Sequence, residues 1–349
     1  MSFCCWCCII SRVISVLAIL LVSSVGQAQF TTDGFPYQVF SNSSAWNQLI
    51  PSGATVEPLS ASMLLLIKNS QTTNGLSFAY YQWTAPLHNV DSTTFTTRIN
   101  IYQPQGEFYH NSVDPLNTGQ ILNLPVPSTV NPDPMADGHM IVYDRATYTF
   151  YEFSRFIWQN STWASATRFD RFQYDVSGSY PAFNAGGSRW WMRAVRGAGS
   201  TFIGGLIRWD ELVVRGELNH VLAMSGPVNR MRKTESPGYT YELCSPVSSR
   251  TDGWYVGTNT VMEGQRIRLN PSFNVNSLTG TKARIIARTL QLYGAYVVDN
   301  SVDASLYFEN KGGNYATSPW ASFASDIGQI QAITLDNYQV LTCDTPVTK

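Results

Sequence analysis

The fold is decided by the stretch DGHMIVYD at residues 137–144 and by the run YTFYEF at residues 148–153. Both runs alternate, and both are rich in the β-branched and aromatic residues that strands favour. A short polar segment separates them, so the pair predicts an antiparallel β-hairpin.

The spacing of this hairpin also predicts a chemical pair. A turn centred on residues 145–146 places His139 opposite Glu152 and Ile141 opposite Phe150. Directly opposed residues on one face have Cβ atoms about 5 Å apart. The sequence therefore predicts a histidine beside a carboxylate, bordered by aromatic rings.

Short alternating runs of this kind recur along most of the chain. They predict a mainly β fold, an antiparallel β-sandwich of the jelly-roll or concanavalin-like kind with two or three packed α-helices. Helices are expected near residues 59–68, 278–293 and 322–331. Strand-like patterns continue on both sides of the proline-rich segment 115–134, which favours a single domain over residues 29–349.

The amino-terminal segment predicts export. Arg12 precedes an apolar run at residues 13–25, and Gly26-Gln27-Ala28 resembles a cleavage site. Residues 1–28 therefore have the pattern of a signal peptide, too short for a membrane span. We expect a secreted, extracellular protein with no membrane association after removal of the signal. Only 13% of residues are charged and no basic block occurs, so nucleic acid is not an expected partner.

Cysteine usage supports an oxidising compartment. Four of the six cysteines fall in the signal segment, leaving Cys244 and Cys343. These two predict one disulfide, with two buried thiols as the alternative. A bridge closing a loop of about 100 residues stabilises a fold by about 4.7 kcal/mol on the chain-entropy model. In a eukaryotic host, Asn42 and Asn160 would be glycosylation acceptors.

Two sets of histidine and carboxylate residues carry the catalytic hypothesis. The candidate catalytic residues are His139, Glu152, Glu217 and His220. In a glycoside hydrolase, one carboxylic acid protonates the leaving oxygen and a second carboxylate acts as nucleophile or base. Glu152 and Glu217 fit those two roles, with Asp137 and Glu211 in reserve.

A lyase acting on uronate polymers is the second chemical option. There His139 or His220 would remove a proton, assisted by Tyr143 and by Arg189 or Arg193. Aromatic residues make up 13% of the chain, and flat rings pack well on the apolar faces of sugars. The candidate substrate-binding residues are Asp137, Tyr143, Trp158, Arg189, Trp190 and Trp191.

Metal binding is a weaker alternative. Asp137, His139 and His220 offer zinc or calcium ligands, but no regular metal-binding motif occurs. We predict no metal site and no cofactor.

Several blocks resemble a family of secreted proteins from bacteria and some microbial eukaryotes, most of which have no assigned function. The blocks are DGHM at 137–140, YEF at 151–153, GELNHVL at 216–222, RIRL at 266–269 and LYGAYVVDN at 292–300. Trp46-Asn47 resembles the amino-terminal block of the same family. The resemblance implies a secreted chain, but the family has no established activity that could be transferred to this chain. The Glu-x-Asp-x-x-Glu strand of jelly-roll glucanases and the Gln-Ile-His strand of jelly-roll alginate lyases are absent.

The leading hypothesis is a secreted carbohydrate-active protein that cleaves an extracellular polysaccharide by histidine and carboxylate chemistry. A lectin-like or matrix-binding module without catalysis is the alternative, and a structural or adhesive surface protein is the third. An enzyme requires the four catalytic candidates to meet in one concave site. A binding module requires only exposed rings, such as Trp158, Trp190 and Trp191.

Overall fold

The structure is a computed structural model. It describes residues 30–31, 34–93, 97–101, 121–175, 177–178, 194–233, 239–240, 242–343 and 345–348. The predictions made for residues 1–28 and for Arg189, Trp190, Trp191 and Arg193 lie outside these ranges.

The described chain is mainly β. The strands are β1 Ser77–Ala79, β2 Leu87–Val90, β3 Thr97–Ile101, β4 Ile121–Leu124, β5 Met140–Asp144, β6 Thr149–Ser154, β7 Ile157–Asn160, β8 Trp163–Ala166, β9 Arg168–Gln173, β10 Leu222–Gly226, β11 Arg232–Lys233, β12 Tyr239–Thr240, β13 Glu242–Cys244, β14 Arg266–Leu269, β15 Ala295–Asn300, β16 Ser305–Tyr307, β17 Tyr338–Val340 and β18 Pro346–Thr348. The α-helices are α1 Ser60–Ser70, α2 Thr281–Leu292 and α3 Ala324–Gln331. A single π-helical turn spans Asp210–Arg215 and ends at Gly216, in the left-handed conformation (φ 74°).

The strands form three larger sheets and two short ribbons. The six-stranded sheet has the order β1-β16-β10-β15-β14-β17, the hairpin sheet β2-β5-β6-β9, and the outer sheet β4-β3-β8-β7. Each contains parallel neighbours: β1 with β16, β10 with β15, β2 with β5, and β3 with β8. The prediction of antiparallel sheets is therefore wrong in these places. Alternation within a strand reports its buried face, and it carries no information about the direction of its neighbour.

The β5–β6 hairpin is confirmed, but its predicted register is wrong by two residues. Ile141, and not His139, lies opposite Glu152. The reason is the turn, because the Asp144 carboxylate accepts hydrogen bonds from the Ala146 amide (3.0 Å) and from the Thr147 hydroxyl (2.6 Å). This Asx-type turn makes 145–148 the four connecting residues instead of the predicted 144–147, and a turn displaced by one residue shifts every cross-strand partner by two.

Strand β5 is buried on both faces, because it separates two layers of the core. Ile141 and Tyr143 contribute to a cluster shared with the six-stranded sheet, whereas Met140 and Val142 contribute to a cluster shared with the outer sheet. A third cluster joins the three helices to the opposite face of the six-stranded sheet. The layers therefore run in the order helices, six-stranded sheet, hairpin sheet, outer sheet.

The predicted helices are present, and contacts with other elements form at the amino-terminal ends of α1 and α2. The α2 cap is Gly280, and Asp326 of α3 accepts the hydrogen bond of the Ala283 amide (3.0 Å). In α1, the Ser60 hydroxyl accepts from the Val340 amide (2.9 Å) instead of capping its own helix. The helices are thereby tied to their neighbours.

The predicted disulfide between Cys244 and Cys343 is confirmed, with a Cα–Cα separation of 5.7 Å. In the part of the chain that the structure describes, no helix is long and apolar enough to span a membrane.

Candidate active site

A buried connection, residues 194–206, lies between the six-stranded sheet and the hairpin sheet. Every residue in it is buried. The Ala198 amide donates to the Val298 carbonyl of β15 (2.9 Å), and the Phe202 amide donates to the Glu152 carboxylate of β6 (2.7 Å). The segment thus carries polar groups into the space between two sheets.

Arg196 is the buried cation of this segment. Its guanidinium donates to the Asp299 carboxylate (2.8 Å) and to the carbonyls of Phe202 (2.9 Å) and Thr201 (3.2 Å). It also lies over the rings of Phe202 (3.8 Å) and Tyr307 (4.2 Å), which adds cation–π attraction. The guanidinium is fully buried, so its function is to hold Asp299 in place.

Gly197 separates two carboxylates. Its amide donates to Asp299 (2.6 Å), and a Cβ atom built on it would lie only 2.1 Å from an oxygen of Asp252. Only glycine allows Asp252 to approach the backbone this closely. Asp252 and Asp299 therefore lie on two sides of the same residue.

Asp252 and Glu263 form a carboxyl pair. Asp252 is solvent-exposed, although protein surrounds it on most sides, whereas Glu263 is completely buried. Glu263 accepts hydrogen bonds from the Asp252 amide (3.2 Å) and from the Asn229 side chain (3.0 Å). The Asn300 amide donates to Asp252 (3.0 Å), and the two carboxyl groups lie within hydrogen-bonding reach of each other.

This environment changes the protonation of both acids. Burial and the adjacent Asp252 raise the pKa of Glu263 well above its ordinary value. Burial also raises the pKa of Asp252. Because two carboxylates in contact cannot both ionise readily, the pair retains a proton that it shares.

His139 borders the same group of residues. Its ring centroid lies 4.4 Å from that of Phe202, and its Nδ1 is 3.4 Å from the Phe153 carbonyl oxygen. Burial lowers the pKa of His139 to about 4, although Asp137 and Asp299 act in the opposite direction. The imidazole is therefore neutral at pH 7, as a proton acceptor must be.

Two exposed aromatic rings follow Asp252 directly in the chain. Trp254 is 65% exposed and Tyr255 is 38% exposed, with ring centroids 6.0 Å apart at an angle of 89°. The Tyr255 backbone amide donates a hydrogen bond to the Asn229 carbonyl (3.1 Å). Two solvent-facing rings thus lie two and three residues beyond the exposed Asp252 in the chain.

Glu152 has a different role from the predicted one. It is completely buried, and its two oxygens accept from the amides of Phe202 (2.7 Å) and Ile203 (2.8 Å). Burial, and then repulsion by Asp170, raise the pKa of Glu152 to about 8. Glu152 anchors the buried segment and cannot touch a substrate in this structure.

His220 belongs to a second polar cluster, in which its partner is Glu211 and not the predicted Glu217. The His220 Nε2 atom lies 3.2 Å from Glu211, which also accepts two bonds from Arg208 (2.7 and 3.0 Å). Arg208 donates further to the Pro36 carbonyl (2.6 Å). Burial tends to raise the pKa of Glu211, but Arg208 and His220 together lower it to about 2. This cluster is an ion-paired structural element.

The remaining predicted residues are dispersed. Glu217 is partly exposed and pairs with Arg215 at the surface. Tyr143 is fully buried in the core, so it cannot contact a sugar. Trp158 is half-buried and donates to the Val130 carbonyl (2.8 Å), and Asp137 is half-buried near His139. Of the four catalytic candidates, only His139 and Glu152 are brought together, through their shared contact with Phe202.

The acidic residues around Gly197 and their neighbours, which we call the acidic cleft, were not predicted from the sequence. These residues are Arg196, Asn229, Asp252, Trp254, Glu263 and Asp299. A weak signal existed in the sequence, since an acid, a glycine and a tryptophan occur together at residues 252–254. Such a tripeptide in a turn presents a carboxylate and a ring to solvent.

Within the described ranges, no three histidine, cysteine, aspartate or glutamate residues gather as a metal site. Comparison of the chain with protein-family models, with curated proteins and with solved structures finds no match.

Proposed function

We propose that this protein is a secreted carbohydrate-active enzyme that hydrolyses an extracellular polysaccharide at the Asp252–Glu263 pair. One observation carries the proposal: the exposed Asp252 donates its backbone amide to the buried Glu263 carboxyl group and has its own carboxyl group within hydrogen-bonding reach of it, two residues before the exposed Trp254. Carboxyl pairs supply protons in glycoside hydrolysis, and aromatic rings pack on sugar faces.

Asp252 is the proton donor in this proposal, because it is the member of the pair that reaches solvent. Its proton passes to the glycosidic oxygen as the bond from that oxygen to the anomeric carbon breaks. A water oxygen then bonds to the anomeric carbon, and its proton passes to Asp299. Exchange with solvent returns both acids to their starting states, so the reaction consumes one water molecule.

The other residues act by positioning. Glu263 lies behind Asp252 and keeps a proton available to it, while Asn229 fixes Glu263. Arg196 and Gly197 hold Asp299 as an oriented carboxylate. The neutral His139 ring lies close enough to Asp299 for an electrostatic interaction between them.

A lectin-like module without catalysis is the second candidate, and a structural or adhesive surface protein the third. Trp254 and Tyr255 favour the lectin, since exposed rings alone are sufficient for sugar binding. The uronate lyase has less support, because the guanidinium of Arg196 is buried and bonded to protein groups.

Secretion belongs to the same proposal. The Cys244–Cys343 disulfide supports an oxidising compartment. Asn42 and Asn160 are both exposed, which supports their use as glycosylation acceptors. The face-to-face core between the hairpin sheet and the outer sheet supports a β-sandwich, although the parallel neighbours depart from a jelly roll.

The test is incubation of the purified mature protein with a panel of neutral polysaccharides and polyuronates. Reducing ends and the absorbance of unsaturated uronates are measured in parallel. We expect new reducing ends without unsaturated products. Unsaturated products would support the lyase, and retention on one polymer without any cleavage would support the lectin.

A further inference from the structure

A second group of aromatic residues, outside the acidic cleft, gathers on the connection after β1 and on the loop after β16. The ring centroids of Tyr80, Tyr81 and Tyr315 lie 5.1–6.1 Å from one another. Tyr80 is buried and Tyr81 is half-buried, whereas Tyr315 is 66% exposed. Trp83, two residues beyond Tyr81, is 43% exposed. We call Tyr80, Tyr81, Trp83 and Tyr315 the tyrosine patch.

The backbone at this patch is unusual. Trp83 has a φ of 58°, in the left-handed region that bulky residues rarely occupy. Strained residues persist only where the surrounding structure holds them, and they concentrate at functional sites. An exposed tryptophan held in this conformation is therefore unexpected for a residue that only fills a loop.

A buried carboxylate supplies the support. Asp133 is 2% exposed and accepts hydrogen bonds from the amides of Trp83 (3.2 Å) and Thr84 (3.3 Å), and from the Asn310 side chain (3.0 Å). The Asn310 side chain also donates to the Tyr81 carbonyl (3.1 Å). These bonds fix Tyr81 and Trp83 from behind.

The Tyr315 loop is fixed as well. The Asn314 side chain accepts from the amides of Ala316 (2.9 Å) and Thr317 (3.1 Å), and the Thr317 hydroxyl accepts from the Asn314 amide (2.9 Å). The Tyr80 hydroxyl donates to the Tyr315 carbonyl (3.3 Å). Ring surfaces ordered in advance bind a ligand at lower entropic cost than flexible ones.

We propose that the tyrosine patch is a second carbohydrate-binding site, which holds a neutral polysaccharide chain apart from the acidic cleft. Uncharged rings on a backbone held by hydrogen bonds match a ligand with apolar faces and hydroxyl edges. The nearby Lys311 is ion-paired with Glu309 (3.0 Å). The choice of a sugar as ligand rests on the proposed function, but binding at the patch requires no catalysis.

The experiment is affinity electrophoresis of the full mature protein in gels containing a neutral β-glucan, a xylan or a polygalacturonate. Tyr315→Ala and Trp83→Ala are compared with wild type. Tyr315→Phe keeps the ring, and Tyr148→Ala removes an exposed tyrosine outside the patch. We expect wild type to be retarded by a neutral polymer, and Tyr315→Ala to bind at least about 10-fold more weakly. Tyr315→Phe and Tyr148→Ala should bind as wild type does.

Equal retardation of wild type and Tyr315→Ala would overturn the inference, as would equal losses in Tyr315→Ala and Tyr148→Ala. A dimer that sediments in wild type and dissociates in Tyr315→Ala would also overturn it, by assigning the patch to self-association. Cleavage of soluble oligosaccharides is measured on the same samples and should not change in Tyr315→Ala. Tyr315-dependent binding without any cleavage would reject the proposed function alone, and cleavage without such binding would reject this inference alone.

Discussion

The two histidine regions of this protein contain similar residue types and differ in what the carboxylate contacts. At His220, Glu211 lies between a histidine and the buried Arg208, and it accepts hydrogen bonds from both. In the acidic cleft near His139, Asp252 is exposed and its closest acidic neighbour is the buried Glu263. The first arrangement stabilises charges that are already present, whereas the second retains a proton within an acid pair of which one member faces solvent.

The comparison shows that proximity of a histidine to an acid does not by itself define a catalytic site. A buried acid paired with arginine stays ionised and is needed for the fold, because removal of one partner leaves a buried charge uncompensated. An acid paired with another acid has a raised pKa and therefore keeps a proton to a higher pH than an isolated acid does. The neighbours of a carboxylate thus indicate whether it stabilises the fold or takes part in proton transfer.

The largest expected effect lies in the Arg208 cluster. Glu211→Gln removes the negative charge between Arg208 and His220, and it should lower the free energy of unfolding by about 3–5 kcal/mol. Denaturant unfolding measures the loss. The cleavage rate per folded molecule should not change. A stable Glu211→Gln variant that has lost cleavage would place catalysis in the Arg208 cluster instead of at the Asp252–Glu263 pair.

Gly197→Ala tests how the acidic cleft is built. A methyl group at this position displaces Asp252, whose oxygen lies 2.1 Å from the ideal Cβ position. We expect the cleavage rate to fall about 10²-fold, on the scale of removing a proton donor. Gly328→Ala is the matched control, because Gly328 is in a helix with open space around it. Unchanged cleavage in Gly197→Ala would show that the position of Asp252 does not matter.

Glu152 predicts a pH dependence of stability. The pKa of Glu152 is about 8 in the folded protein and 4.5 in the unfolded chain. Between pH 4.5 and 8 the folded state therefore binds more protons than the unfolded chain does. The stabilisation is complete below pH 4.5 and is lost as the pH rises through 8. The expected loss is roughly 3–5 kcal/mol.

In Glu152→Gln this loss should disappear, and the difference between the two stability curves isolates Glu152 from other titrating groups. His139, with its lowered pKa, acts in the opposite direction: its contribution is present above pH 6.5 and is lost as the pH falls through 4. Parallel curves for wild type and Glu152→Gln would contradict the assignment.

The smallest effect is expected at Glu217. Its ion pair with Arg215 is partly solvent-exposed, and surface pairs contribute about 0–1 kcal/mol. Glu217→Gln should therefore unfold at nearly the same denaturant concentration as wild type and cleave at the same rate. A strong loss of cleavage would restore Glu217 as a catalytic candidate.

Local features of the fold could be predicted from the sequence. The β5–β6 hairpin, helix α2 and the disulfide depend on alternation, helical periodicity and cysteine count. The register could not be predicted, because the Asp144 side chain bonds within the turn and Asp144 itself pairs with Thr149, which displaces the turn by one residue. The parallel sheet neighbours depend on contacts between distant strands.

The acidic cleft could not be predicted for the same reason. Arg196, Asp252, Glu263 and Asp299 come from four separate parts of the chain, and none belongs to a motif. The spacing of histidine and glutamate in the sequence predicted Glu217 as the partner of His220, but Glu217 pairs with Arg215. A buried acid acquires its chemical character from tertiary neighbours that the sequence does not specify.

The central claim is that the Asp252–Glu263 pair supplies the proton for cleavage. Its most direct test is the rate of reducing-end release as a function of pH for wild type, Asp252→Asn, Glu263→Gln and the folded fraction of Glu211→Gln. We predict a loss of about 10²–10⁴-fold in Asp252→Asn, a slower reaction with an altered pH profile in Glu263→Gln, and wild-type rates in Glu211→Gln. Wild-type rates and an unchanged pH profile in Asp252→Asn would contradict the claim.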